Sequence, residues 1–253
     1  MGGGIISIYI GTKFYKGKII SKKADIRNNL DSMLNVLSRS KGSMLNPKMM
    51  HFVCPIEDFD ILPKKFIQDF KEKFESEWRK DEKSERRKAL RSRRLPKIEM
   101  IYSIEAKDIK NPNYYWGDAE NSHVTFRYNH VHIMLIVDIG HKRYGWREIS
   151  VLANKALNRI NGIQSLTIED DFTMTSKDGE HTTSYGFLKP RSRKCIFNNG
   201  EKVKGFYWHD LKTEFDDAVI RASYLCKSEQ KALLPERFAS NSFNVTRAAR
   251  VAS

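Results

Sequence analysis

The run of residues 128–138 restricts the possible folds of this chain more than any other segment. Every residue in 131–137 except His132 is apolar, and β-branched side chains are frequent among them, a pattern that predicts a buried strand. Successive side chains of a strand point to opposite faces, so His130 and His132 project from the same face. Two imidazoles at that spacing can bind one metal ion. We therefore interpret the pair as candidate metal ligands.

Composition limits the class of protein. The 253 residues suffice for one large domain or one domain with appendages, and a hydrophobic content of 40% supports a sizeable core. The net charge of +14 favours an anionic polymer as the partner. Cys54, Cys195 and Cys226 are far apart and odd in number, which indicates free thiols in a reducing compartment. No apolar run approaches the ~18 residues of a membrane span, and the first residues lack a signal-peptide pattern. We therefore expect a soluble, cytoplasmic protein with no membrane partner.

The hydrophobic periodicity predicts an alternation of strands and helices. We expect strands at 48–56, 97–106 and 125–138, helices at about 62–92 and 146–160, and one or two strands within 163–188. That order is a βαββαβ plan, which predicts an α+β fold with an antiparallel sheet and helices packed on one side. The first of these helices carries an aromatic stripe at i, i+4 steps, formed by Phe66, Phe70, Phe74 and Trp78. Outside the plan we expect a β-hairpin within 5–20, helices at 24–39 and 211–230, and a short hairpin about 198–200.

A third candidate ligand lies on the predicted neighbouring strand. Glu105 stands near the end of the apolar segment 98–105, where a carboxylate is unexpected unless it has a partner. Two imidazoles and one carboxylate leave positions open on a divalent ion, and such a site suits Mg²⁺ or Mn²⁺ acting as a Lewis acid on a phosphate. The alternative is that His130 and His132 are satisfied core residues and that Glu105 is solvated. The other histidines show no ligand spacing, and we expect ordinary roles for them: His51, His123, His141, His181 and His209.

The last predicted helix carries a tyrosine among cations. At ~100° per residue its apolar residues form one stripe, and Tyr224 falls almost opposite that stripe, flanked by Arg221, Lys227 and Lys231. A tyrosine hydroxyl can act as a nucleophile, and nearby cations stabilise phenolate and transition-state charge. The alternative is a surface tyrosine on a basic helix.

Two further segments are strongly cationic. Residues 86–98 hold seven Lys or Arg and no acid, and the basic loop 189–194 follows the aromatic residues Tyr185 and Phe187. Both patterns are typical of phosphate binding with base stacking nearby, and the first fits a solvated helix end equally well. Together with two residues of the last helix, the predicted nucleic-acid contacts are Arg91, Arg93, Arg94, Lys189, Arg191, Arg193, Lys194, Arg221 and Lys231.

In this chain order, Glu105, His130-Val131-His132 and Tyr224-Leu225-Cys226-Lys227 resemble the HUH endonucleases of rolling-circle replication. That superfamily has a His-hydrophobic-His strand, a nearby third polar ligand, and a catalytic tyrosine on a helix with a lysine. The order is similar to that of the replication initiators, whereas relaxases place their tyrosine near the N-terminus. The surrounding residues are similar to the replication proteins of filamentous (inovirus) phages and their prophage relatives.

Two features differ from that family's usual pattern. About 25 residues separate Glu105 from His130, a longer spacing than the family's, and the insert at 111–121 is expected to form a loop. Tyr224 has no second tyrosine about one helical turn away, so the resemblance implies a single-tyrosine enzyme. It further implies an HUH endonuclease domain at 23–235, preceded by a β-hairpin extension at 1–22 and followed by a flexible tail at 236–253.

The resemblance implies a site-specific endonuclease that nicks single-stranded origin DNA of a phage, satellite or plasmid-like element in a bacterial cell. Glu105, His130 and His132 would bind the metal, Tyr224 would form a 5′-phosphotyrosine and leave a 3′-OH primer, and Lys227 would neutralise developing charge. Because the chain contains no P-loop motif, a separate host helicase is expected. One alternative is a transposase or processing nuclease of the same fold, and another is a non-catalytic nucleic-acid-binding module.

Overall fold

A computed structural model provides the structure of the chain. It describes residues 9–10, 12–20, 25–82, 95–110, 125–140, 146–163, 166–168, 174–176, 182–183, 197–198, 201–202, 208–228, 231, 233–239 and 241–248. Within these ranges, no helix is both long enough and apolar enough to cross a membrane.

The described residues form fourteen strands, most of them short, and five α-helices. The strands are β1 (Tyr9–Ile10), β2 (Phe14–Tyr15), β3 (Lys18–Ile19), β4 (Asp25–Ile26), β5 (Pro47–Pro55), β6 (Ile98–Lys110), β7 (Thr125–Asp138), β8 (Leu166–Ile168), β9 (Met174–Ser176), β10 (Thr182–Thr183), β11 (Phe197–Asn198), β12 (Glu201–Lys202), β13 (His209–Asp210) and β14 (Phe243–Val245). The helices are α1 (Arg27–Ser43), α2 (Phe66–Glu82), α3 (Trp146–Leu157), α4 (Phe215–Ser223) and α5 (Glu236–Ala239), with a 3₁₀ turn at Tyr224–Cys226.

Five strands form one antiparallel sheet in the order β13-β5-β7-β6-β14. The central pair, β6 and β7, is a long hairpin whose register runs from Ile98 opposite Val137 to Lys110 opposite Thr125. The predicted α+β class and the predicted strands at 48–56 and 125–138 are confirmed. The strand predicted at 97–106 is also confirmed and extends further, to Lys110.

One face of the sheet packs against α2 and α3. Alternate sheet residues, among them Phe52, Tyr102 and Ile133, share a buried cluster with both helices. The predicted aromatic stripe of α2 points into this cluster, and its four side chains are buried: Phe66, Phe70, Phe74 and Trp78. The two helices of the predicted plan therefore lie on one side of the sheet, as expected from their amphipathic patterns.

The opposite face of the sheet is covered by α1 and α4. Sheet residues of the other parity, such as Met49, Ile101 and Met134, form a second buried cluster with apolar residues of these helices. His130 and His132 have the parity of Met134 on β7, so they project from this second face. The predicted ligands therefore lie between the sheet and the layer formed by α1 and α4.

The last strand of the predicted βαββαβ plan, expected within 163–188, is not part of the five-stranded sheet. Residues within 163–188 do form strands, but β8, β9 and β10 pair with one another in a separate three-stranded sheet. The sheet edge beside β5 is occupied by β13, where His209 pairs with Met49. The neighbouring cross-strand pair, Asp210 opposite Lys48, is also an ion pair, and opposite charges at paired positions stabilise such an edge.

The two ends of the chain also differ from the prediction. The N-terminal hairpin is shorter than expected: β2 and β3 pair around Lys16 and Gly17, both with positive φ, while β1 pairs with β4. The segment expected to be a flexible tail contributes β14 to the main sheet, pairing with β6. Arg39 of α1 fixes this segment further, because it donates to the Thr246 carbonyl and forms an ion pair with Glu99.

Of the remaining predicted segments, one has both of its strands within the described residues and two lie outside these residues. The hairpin predicted about 198–200 is confirmed, since β11 and β12 pair with each other. The insert at 111–121 and the cationic end of the first long helix, beyond Glu82, lie outside the described residues.

Candidate metal centre and tyrosine

The register of the central hairpin brings the three predicted ligands together. Glu105 of β6 lies directly opposite His130 of β7, and Ser103 lies opposite His132. Cross-strand partners share a face of the sheet, so both histidines and the carboxylate point into the same space. Their ligating atoms all lie within 4.8 Å of one another. The long spacing between Glu105 and His130 is therefore the length of a hairpin and not a separation in space.

The cluster is buried and charged. Glu105 Oε2 lies 3.6 Å from His130 Nε2 and 3.4 Å from His132 Nε2. Burial alone would raise the pKa of Glu105, but the two histidines and the nearby ammonium of Lys227 hold that pKa below its usual value. The carboxyl is therefore ionised at neutral pH, although neither of its buried oxygens receives a well-directed hydrogen bond from the described residues.

Each histidine is held through its Nδ1 atom. His130 Nδ1 lies 3.3 Å from the Tyr128 carbonyl, and the His130 ring stacks on the Tyr128 ring at 4.6 Å between centroids. His132 Nδ1 lies 3.0 Å from His51 Nε2. In both cases Nε2 is the atom that faces Glu105. Burial lowers the pKa of His132, which favours the neutral form that can bind a metal.

These residues fit a divalent cation. The Glu105 oxygens receive no directed hydrogen bond from the described residues, although the Lys227 ammonium lies 2.8 Å from Oε2. Glu105 therefore offers a buried, ionised oxygen donor beside two imidazole nitrogens. One oxygen and two nitrogens form a donor set common to several divalent metals. Glu105, His130 and His132 would therefore be the residues that hold the ion.

Tyr224 and Lys227 lie beside the same cluster, in positions that the sequence pattern did not predict. The expected helix at 211–230 ends at Ser223, and the chain tightens into a 3₁₀ turn at Tyr224. The sequence pattern treated Tyr224 as an outward-facing residue of a helix that continues to residue 230, whereas the described helix ends one residue before it. Tyr224 instead packs at the second cluster, with its ring edge-on to His132 at 5.3 Å between centroids.

Lys227 is the residue whose position differs most from the expectation of an exposed cationic face. Its side chain is 1% exposed, and its Nζ lies 2.8 Å from Glu105 Oε2. The same Nζ lies 3.7 Å from the centroid of the Tyr224 ring. Lys227 therefore links the tyrosine to the carboxylate of the candidate metal site.

The structure describes only two of the nine predicted nucleic-acid contacts, Arg221 and Lys231. Lys231 is buried, with its Nζ 5.8 Å from the Phe243 ring, and burial lowers its pKa; it lies inside the protein and not on a binding surface. Arg221 is half-buried on α4. The remaining predicted contacts lie outside the described residues: Arg91, Arg93, Arg94, Lys189, Arg191, Arg193 and Lys194.

Two buried histidines were missed by the sequence reasoning. His51 contacts His132, and His209 lies on β13 beside the same face of the sheet. Their positions follow from strand pairing, which spacing within one strand does not reveal. The position of His51 could have indicated its role. It lies within the strand Pro47–Pro55, which is buried throughout, and a buried imidazole needs a hydrogen-bond partner there just as His130 and His132 do in β7.

The site thus combines a buried set of candidate metal ligands, a partly exposed phenol and an ammonium within one cluster. No family model, no curated protein and no solved structure matches the chain. Its function is therefore inferred from the chemistry of these residues.

Proposed function

We propose that the protein is an HUH-type endonuclease that nicks single-stranded DNA to initiate rolling-circle replication of a phage or mobile element. The observation that supports this most is the convergence of Tyr224 and Lys227 on the cluster of Glu105, His130 and His132. Distant parts of the chain supply these residues, and the order in which they occur resembles that of the replication initiators.

Glu105, His130 and His132 would hold Mg²⁺ or Mn²⁺, which when bound supplies Lewis-acid polarisation of a phosphate oxygen. The protein contributes the arrangement of the donors. Their register is fixed by the hydrogen-bonded hairpin of β6 and β7, so the three side chains need little reorganisation before they bind the ion. Prior arrangement of this kind is what a catalytic site requires.

Tyr224 is the proposed nucleophile. Its phenolic oxygen attacks the phosphorus, the bond from phosphorus to the 3′ oxygen breaks, and the departing oxygen takes up a proton to become a 3′-OH. The phenolic proton passes to solvent, because Tyr224 is partly exposed. The product is a 5′-phosphotyrosine, and attack by a later 3′-OH reverses the same exchange and religates the strand.

Lys227 is placed to stabilise charge on the nucleophile. Its ammonium lies over the Tyr224 ring and beside Glu105 in a buried environment, where electrostatic interactions are stronger than in water. A cation at that position attracts the negative charge that develops as Tyr224 attacks the phosphate. Lys227 therefore stabilises the charge of the transition state and partly offsets the negative charge of the phosphate.

The expected partner is single-stranded origin DNA. The net charge of +14 provides the attraction to phosphate that such binding needs. The chain contains no P-loop motif, so strand separation is assigned to a helicase supplied by the host.

The direct test is formation of a covalent adduct between the protein and single-stranded origin DNA in the presence of Mn²⁺. Wild-type protein should give an adduct that survives denaturation, and Tyr224→Phe should give none while DNA affinity stays within a few-fold. Tyr102→Phe is the matched control, since that buried tyrosine lies on the opposite face of β6 and should leave the adduct unchanged. An adduct that persists in Tyr224→Phe would contradict the assignment of the nucleophile.

Metal dependence completes the test. Chelation of wild-type protein and the single variants His130→Ala and His132→Ala should each abolish the adduct, whereas the fold should persist because a catalytic site need not hold the domain together. Normal cleavage after chelation would refute the metal site. Binding of DNA without any adduct under all conditions would favour a non-catalytic binding module, and cleavage confined to element ends would favour a transposase.

A further inference from the structure

We propose that His51 is a positioning residue that fixes the ring orientation and tautomer of the metal ligand His132. The inference rests on the metal centre of the proposed function and does not depend on whether DNA is cut. His51 lies on β5, where Val53 is the direct cross-strand partner of His132. His51 is therefore the diagonal neighbour of His132 on the same face, a spacing that ring side chains can bridge.

The contact between the two rings is specific. His51 Nε2 lies 3.0 Å from His132 Nδ1, and both rings are buried. The ring centroids are 5.1 Å apart with an interplanar angle of 44°, so the rings meet through their nitrogens and not by stacking. A buried imidazole is costly unless it is hydrogen-bonded, and the neighbouring positions on this face of β5 carry the apolar Met49 and Val53.

The two candidate ligands are held in the same way. His130 presents Nδ1 to a carbonyl, and because a carbonyl can only accept, a neutral His130 carries its proton on Nδ1 and its lone pair on Nε2. Histidines that bind metals commonly donate their second ring nitrogen to an acceptor in this way. His51 Nε2 lies at the equivalent position beside His132 Nδ1, on a neighbouring strand, and accepts the hydrogen bond when the His132 proton is on Nδ1.

The proton positions of the two rings are consequently coupled. If His132 Nε2 is to bind a cation, the His132 proton must be on Nδ1, where it is donated to the lone pair of His51 Nε2. The His51 proton is then on its own Nδ1, a buried atom that has no hydrogen-bond partner among the described residues. The reverse arrangement places a hydrogen on His132 Nε2 and blocks the ligand atom.

The test uses the full-length protein, Mn²⁺ alone and no DNA, so its result is independent of any cleavage by Tyr224. His51→Phe keeps a ring of similar shape but removes the acceptor, and the affinity for Mn²⁺ should fall by roughly 10- to 100-fold, as is typical when such a partner is removed. His51→Gln restores an acceptor through its amide oxygen and should recover most of the affinity. Phe52→Leu is the matched control, because Phe52 is the next buried residue of β5 but packs in the cluster on the opposite face.

A second readout needs no substitution. In the Mg²⁺-loaded wild-type protein, ¹⁵N NMR should show His132 protonated on Nδ1, with a scalar coupling across the hydrogen bond to His51 Nε2. Unchanged Mn²⁺ affinity in a folded His51→Phe variant would overturn the inference, and so would His132 protonated on Nε2 in the loaded protein. Wild-type protein that does not bind Mn²⁺ would overturn the metal centre and this role of His51 together. Mn²⁺ binding that is equally tight with and without His51 would overturn this inference alone.

Discussion

Lys227→Met is expected to destabilise the protein strongly, because it removes the partner of a buried carboxylate. Glu105 is 0% exposed, and Lys227, 1% exposed, lies 2.8 Å from it. Removal of one member of a buried ion pair costs about 3–5 kcal/mol. The Nε2 atoms of His130 and His132, 3.6 and 3.4 Å from the same oxygen, can take up part of the uncompensated charge. We therefore expect a loss of about 3–4 kcal/mol, and at about 2–4 °C per kcal/mol for a chain of this size the melting temperature should fall by roughly 6–16 °C.

The measurement is urea unfolding in the presence of a chelator, so that no divalent ion replaces the missing ammonium. Lys16→Met is the matched control, since Lys16 is 61% exposed in its ion pair with Asp31 and its loss should cost far less than the loss of a buried partner. The double variant Glu105→Leu with Lys227→Met should regain most of the stability, because it removes both charges together. If Lys227→Met costs no more than Lys16→Met, the pair is not desolvated and the reasoning about the site is refuted.

Two further predictions concern pH and salt. Burial lowers the pKa of His209 from 6.5 to about 4, so its contribution to stability is complete above pH 6.5 and is lost as the pH falls towards 4. At about 1.4 kcal/mol per tenfold change in proton affinity the loss is roughly 3 kcal/mol, and His209→Gln should flatten the pH dependence seen in urea unfolding between pH 7 and pH 4; an unaltered slope would contradict the assignment. Neutralising Arg191, Arg193 and Lys194 together should reduce the slope of log K for DNA against log salt by roughly 0.7–0.9 for each phosphate that the protein no longer neutralises. Arg91, Arg93 and Arg94 form the parallel test, and unchanged slopes in both triple variants would exclude these segments as the DNA-binding surface.

The central strands and their helices could be predicted because their patterns are local. The strand Thr125–Asp138 has an apolar run that only a buried strand explains, and its predicted bounds match the structure. The aromatic stripe of α2 recurs at helical spacing and is buried. Patterns of this kind depend on one element at a time, which is why periodicity identifies them.

The sheet edges could not be predicted, because short strands have little pattern of their own. β13 and β14 are two and three residues long, and they are fixed by partners far away in the chain. Asp210 is held by Lys48, and the segment after β14 is held by Arg39. Such pairings depend on tertiary context and not on propensity.

Within the site, the sequence indicated the ligands but not their environment. Glu105, His130 and His132 are close together as predicted, because strand alternation and the order of strands were sufficient to place them. Lys227 was expected on an exposed face and is buried against Glu105. That error arose because the helix was expected to continue to residue 230, whereas the α-helix ends at Ser223 and the chain is already extended at Lys227.

The two halves of the site therefore depend on different kinds of structure. The candidate metal ligands project from the central hairpin, whose strands are paired on both sides and whose register cannot slip without moving every side chain to the other face. Tyr224 is the first residue of a short 3₁₀ turn, and Lys227 is the residue that follows this turn. A 3₁₀ helix is tighter than an α-helix and has poorer hydrogen-bond geometry. The candidate metal ligands are thus positioned by the sheet, whereas Tyr224 is positioned by the turn. In the proposed reaction the tyrosine must attack, remain bound to DNA and then leave, so the group that has to move is carried by the less strongly bonded of the two structures.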